Sequence, residues 1–90
     1  MKFTTAVLDI SAGETGDKEI PNQYPAISDL LGYVAITYLA DTGTGELTVS
    51  MVTTGLDITL KDKRTITITT NDLSHSGILI LTYTPAIDIA

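Results

Sequence analysis

From Thr65 to Thr70 the chain reads Thr-Ile-Thr-Ile-Thr-Thr, a period-two alternation that suits a half-buried β-strand and no other regular element. Ile66 and Ile68 are predicted to face a core while Thr65, Thr67 and Thr69 face water. The pattern returns in Leu47, Val49 and Met51 against Thr48 and Ser50, and in Ile58 and Leu60 against Asp57 and Thr59. Threonine and isoleucine are stiff at χ1 and fit a pleated surface, so this rhythm marks an all-β chain.

Ninety residues are enough for a single domain, 1–90, with one modest core. The chain has no cysteine, so neither a disulfide nor a thiolate metal site supplements that core. Eleven acids oppose five cations. The cations are Lys2 and Lys18 near the front and Lys61, Lys63 and Arg64 in one turn, which leaves no basic stripe for a phosphate backbone. No nucleic-acid partner is expected. No membrane partner is expected either, since no uninterrupted apolar run approaches the length of a spanning helix. Phe3 to Ala6 lacks a long apolar stretch before Asp9, so no secretory signal is visible.

Turn residues divide the chain at short intervals. Strands are predicted at Phe3 to Ile10, Tyr33 to Ala40, Glu46 to Thr53, Leu56 to Leu60, Arg64 to Thr70 and Ile78 to Thr84. Short connections favour antiparallel pairing. Tyr33 to Ala40 and Ile78 to Thr84 are apolar on both faces, with Val34, Ile36 and Tyr38 opposite Ala35 and Leu39, as a doubly covered central strand would be. The predicted fold is a small antiparallel β-sandwich or a jelly-roll or Ig-like domain of six to eight strands, with one short helix in a long loop.

That loop, Ser11 to Gly32, is acidic and unusually long for a small domain. It reads as a docking arm, or as a strand over Lys18 to Ile20 followed by the helix. Pro25 to Leu31 has Pro at a helix start, Gly32 just past the end, and Ile27, Leu30 and Leu31 on one side. At the other end, 85–90 reads as an extended tail in which Ala86-Ile87-Asp88-Ile89-Ala90 alternates again and suits strand addition to a neighbour.

Catalytic signals are sparse. Ser74-His75-Ser76 with Asp72 offers hydroxyl, imidazole and carboxylate, but adjacent loop residues do not converge as a triad must. Glu14, Asp17 and Glu19, and Asp41 with Glu46, are acidic clusters without the spacing of a calcium loop. No cofactor or metal is expected. Tyr24, between Gln23 and Pro25, is the tyrosine predicted to lie in a loop; Tyr33, Tyr38 and Tyr83 are predicted to pack in strands. A flat aromatic held at low entropic cost makes Tyr24, with Pro25, the candidate partner contact, alongside Ile87 and Ile89 of the tail; core or staple packing of Tyr24 onto Leu30 is the equal alternative.

Leu39-Ala40-Asp41-Thr42-Gly43 resembles the catalytic turn of retroviral-type aspartic proteases, which implies a dimeric enzyme using Asp41. The chain departs from that family downstream, where Gly77 follows His75 and Ser76, and Gly55 follows two threonines, instead of an apolar pair. In size, acidity, lack of cysteine and Thr/Ile richness the whole chain resembles accessory structural proteins of tailed bacteriophage particles: capsid decoration, head-fibre and tail or adaptor components. That resemblance implies a non-enzymatic virion protein made in the host cytoplasm. Its partners would be itself, as a homo-oligomer such as a trimer, and a larger capsid or tail. Only 18% of residues are charged, below the roughly 25% of ordinary domains, which also favours buried intersubunit surface. A glycan- or peptide-binding β-sandwich is the alternative.

Overall fold

The alternating segments form strands, and the chain crosses between two sheets as it lays them down. This computed structural model describes residues 2–40, 43 and 47–86, with the backbone alone at 39, 40 and 47. Among the described residues there are seven strands and no helix: β1 (Thr4–Ile10), β2 (Gly16–Glu19), β3 (Ile27–Ala40), β4 (Leu47–Val52), β5 (Leu56–Leu60), β6 (Thr65–Asn71) and β7 (Gly77–Pro85). A four-stranded sheet has the order β1-β7-β3-β4, and a three-stranded sheet has the order β2-β6-β5. Every pairing is antiparallel. The first strand pairs with the last and the second with the second to last, the nested wrapping found in jelly rolls.

The core lies between the sheets. Ala6, Leu8 and Ile10 of β1, Leu79, Leu81 and Tyr83 of β7, and Ala35 of β3 face Leu56 and Ile58 of β5 and Ile66 and Ile68 of β6. Ile20, Ile27 and Leu73, from the crossings, complete it. The sheets are stitched where the chain changes layer. Ile20 N–H donates to the Arg64 carbonyl (2.9 Å) and Ile27 N–H to the Lys63 carbonyl (2.7 Å). The Tyr83 hydroxyl donates to the Pro25 carbonyl at 2.7 Å. Burial pushes the Tyr83 phenol above its ordinary pKa, so it keeps this proton.

The predicted helix over Pro25 to Leu31 is not there. From Ile27 the chain is already β3, and Ile27, Asp29 and Leu30 pair with Pro85, Thr84 and Tyr83 of β7. Two irregularities, between Ile27 and Asp29 and between Leu30 and Gly32, each insert a residue. Bulges of this kind reset the alternation. Ile27, Leu30 and Tyr33 therefore all face the core side, and their spacing of three imitates a helical stripe. Two turns of helix have little stability alone, whereas β7 offers a ladder of hydrogen bonds. The long loop also contains a strand, β2, close to the predicted Lys18 to Ile20.

Gly77 opens β7 at a point where a side chain has no room. A Cβ there would stand 2.0 Å from the Ile36 carbonyl oxygen and 2.7 Å from the Thr37 Cα. The absence of a side chain lets β7 and β3 close together. Gly55, in the turn between β4 and β5, has φ near +74°, which glycine adopts without strain.

Candidate interaction surface

The register of the four-stranded sheet decides which side chains lie on its outer face. Val7 of β1 is opposite Ile80 of β7, which is opposite Val34 of β3. Ile78 of β7 is opposite Ile36 of β3, which is opposite Met51 of β4; Tyr38 of β3 is opposite Val49 of β4. Directly paired residues share a face, so these side chains form one continuous apolar field on the side away from the core. Met51 is 70% exposed, Val49 58%, Tyr38 50% and Val7 40%, while Val34, Ile36, Ile78 and Ile80 are half-buried by one another. A contiguous apolar patch of this kind on an isolated chain is often functional.

Two expectations are corrected here. Val49 and Met51 were predicted to face the core, and they point outward instead. Alternation fixes that they share a face, not which face it is, and β4 lies at the rim of the sheet. Tyr38 was predicted to pack, yet it stands half exposed. The doubly covered central strand is half right: β3 is interior to its sheet, but the three-stranded sheet covers one face alone, and nothing among the described residues covers the other.

The outer face of the three-stranded sheet is polar. Asp57 is opposite Thr70, Thr59 opposite Thr67, and Asp17 and Glu19 of β2 are opposite Thr67 and Thr65. Asp17 accepts from Lys61 Nζ and from the Thr67 hydroxyl (2.8 Å). The Lys61 hydrogen bond, then that of Thr67, holds the Asp17 carboxyl below its ordinary range, and Asp17 in turn raises Lys61. Glu14 is lowered by Lys18, which donates to it at 2.9 Å, and then by the Ser11 N–H. Two carboxylates of the predicted acidic cluster are thus engaged by ammonium groups.

A polar cleft of about 630 Å³ opens between the inner side of β4 and the 72–76 loop. Thr37, Ser50, Thr54, Asp72, Ser74 and His75 line it with Val52, Gly55 and Leu73. The structure therefore brings Asp72, Ser74 and His75 to one cleft with hydroxyls from β3 and β4. No hydrogen bond joins His75 to Asp72 or Ser74, so the relay that nucleophilic catalysis requires is not formed.

Of the predicted contact residues, Tyr24 is half-buried and packed against the core, with its N–H donating to the Pro21 carbonyl (3.1 Å). Pro25 is exposed, and its carbonyl serves Tyr83. Ile87, Ile89 and Asp41 lie outside the described residues. Among the described residues, no group of three or more His, Asp or Glu is placed to hold a metal, and no helix is long and apolar enough to cross a membrane. No protein-family model, curated protein or solved structure matches the chain.

Proposed function

We propose that the chain is a non-enzymatic structural subunit of a larger assembly and joins it through the outer face of the four-stranded sheet. The observation that carries this reading is the contiguous apolar field of Val7, Ile80, Val34, Ile78, Ile36, Met51, Tyr38 and Val49, with Asp9 at its border. Leaving such a surface in water costs about 25 cal/mol for each Å², and covering it recovers that free energy. Taken with the size, acidity and Thr/Ile composition, the reading points to an accessory component of a bacteriophage particle: a capsid decoration, head-fibre or tail subunit. Such a component reinforces a lattice through many copies of a modest contact, where avidity replaces individual affinity.

Val7→Lys and Tyr38→Lys place a charge in the field without touching the core. Sedimentation velocity over a wide concentration range should show wild type forming species larger than a dimer, with itself or with a co-expressed shell, and the folded double variant losing them. Equal association of the two proteins would refute the reading. A second reading, a glycan- or peptide-binding module, is favoured by the hydroxyl-lined cleft. It predicts saturable binding that Ser50→Val and Thr54→Val abolish.

A further inference from the structure

Among the described residues, β4 is an edge strand whose unpaired backbone and exposed side chains belong to the same residues. Tyr38 N–H donates to the Ser76 carbonyl (3.1 Å), so the backbone groups of Tyr38 face the β7 side. Backbone groups alternate in direction along a strand, so those of Thr37 and Ala35 face β4 and meet Ser50 and Val52. On β4 itself, the N–H and C=O groups of Val49 and Met51 therefore point out of the sheet. Their side chains are the two most exposed of the apolar field.

The other three edges are guarded by charge: β1 carries Asp9, β2 carries Asp17, Lys18 and Glu19, and β5 carries Asp57. β4, Leu-Thr-Val-Ser-Met-Val, has no charge and no proline. Natural sheets block such an edge unless something pairs with it. With a net charge of −6, two copies of this chain repel one another wherever acids meet. An uncharged edge is where they approach at least cost.

We propose that the occupant of this edge is a second copy of the chain, its β4 running antiparallel to the first about a two-fold axis near Ser50. The symmetry is isologous, with the same patch on both sides. It sets outward Val49 and Met51 against the same residues of the other copy, and Thr48, Ser50 and Val52 against theirs. The two four-stranded sheets become one, and their apolar outer faces join on the same side. The dimer thus deepens the assembly reading, on which it rests for its use: it doubles the field offered to a larger particle. One strand of contact is small, so the dimer belongs among weak, concentration-dependent interfaces, and added salt strengthens it by screening the acids.

Val49→Pro removes an outward N–H that has no partner among the described residues, a substitution edge strands tolerate. Sedimentation equilibrium should show wild type in a monomer–dimer equilibrium and Val49→Pro as a monomer with an unchanged circular dichroism spectrum. Amide exchange on wild type needs no variant: the Val49 and Met51 amides should gain protection, at least tenfold, as concentration rises, while the Ile58 amide, on the outward edge of β5, does not. Free exchange of both amides at every concentration, or an undiminished dimer in Val49→Pro, overturns the proposal. Val7→Lys separates the two readings, because it lies on the face but far from β4. A dimer that persists in Val49→Pro beside association lost in Val7→Lys removes the edge and keeps the face. The reverse pattern keeps the edge and removes the face.

Discussion

The outer face of the three-stranded sheet is threonine and carboxylate, with Asp17 held between Lys61 and Thr67. The outer face of the four-stranded sheet has a field of valine, isoleucine, tyrosine and methionine, bordered by Asp9 opposite Ile78 and by Thr5 opposite Thr82. Both sheets bury their other face in the same core, so the fold does not demand this difference. A threonine-covered sheet is what an antiparallel layer needs in order to stand in water. The apolar one departs from that rule across all four of its strands, and such a departure fits a surface that is covered in use.

Substitutions at matched positions test the contrast. The largest effect is expected inside: Ile66→Ala, on the buried side of β6, should lower unfolding free energy by about 2–5 kcal/mol in urea titrations. Ile80→Ala, on the outer side of β7, should cost a dilute sample about 1 kcal/mol, because half of that burial is supplied by neighbours alone. Equal losses at the two sites would mean that the outer field is as well packed as the core, which would end the comparison. A smaller effect follows from copying one face onto the other. Thr59→Val on the polar sheet should change stability by less than about 0.5 kcal/mol while lowering solubility in ammonium sulfate; Met51→Lys should raise it.

The smallest effect is the pH response of the polar face. Glu14 and Asp17 have lowered pKa values in the folded chain, so their contribution is complete above the ordinary carboxylate range, near 4. It fades as pH falls through the lowered values. Lys61, raised by Asp17, contributes below the ordinary lysine range and loses that only as pH climbs past its raised value. Urea midpoints measured from pH 6 down to pH 2 should therefore fall less steeply in a Lys18→Met, Lys61→Met variant than in wild type. Parallel curves would show that these pairs do not act.

Much of this was legible in the chain. Thr65 to Thr70 alternates with its isoleucines inward, and Leu56 to Leu60 begins and ends where it was predicted to. Side chains of one type on both faces of β3 and β7 already pointed to a surface needing cover. What the pattern lacked was direction. Val49 and Met51 alternate as well as Ile66 and Ile68 do, but only the pairing of β4 with β3, Met51 with Ile36 and Val49 with Tyr38, sets them outward. The false helix has a separate cause: two bulges bring Ile27 and Leu30 to the core side three residues apart, and Leu31, which is exposed, completed a stripe that a periodic reading assigns to a helix. Tyr24 read equally as a partner contact or as core packing, and the structure packs it on the core, while Tyr38, assigned to packing, joins the exposed field. Gly77 carried a faint signal, a glycine opening an otherwise apolar strand, which marks close backbone approach.

Hydroxyl-radical footprinting of Met51 and Tyr38 tests the covered face most directly, because both side chains react fast when solvent reaches them. Wild type should label strongly at both residues in dilute solution and weakly when concentrated, with buried Tyr83 unlabelled throughout. Strong labelling of Met51 and Tyr38 at every concentration, and in any assembly from which the chain is recovered, would mean that the apolar face stands open in water.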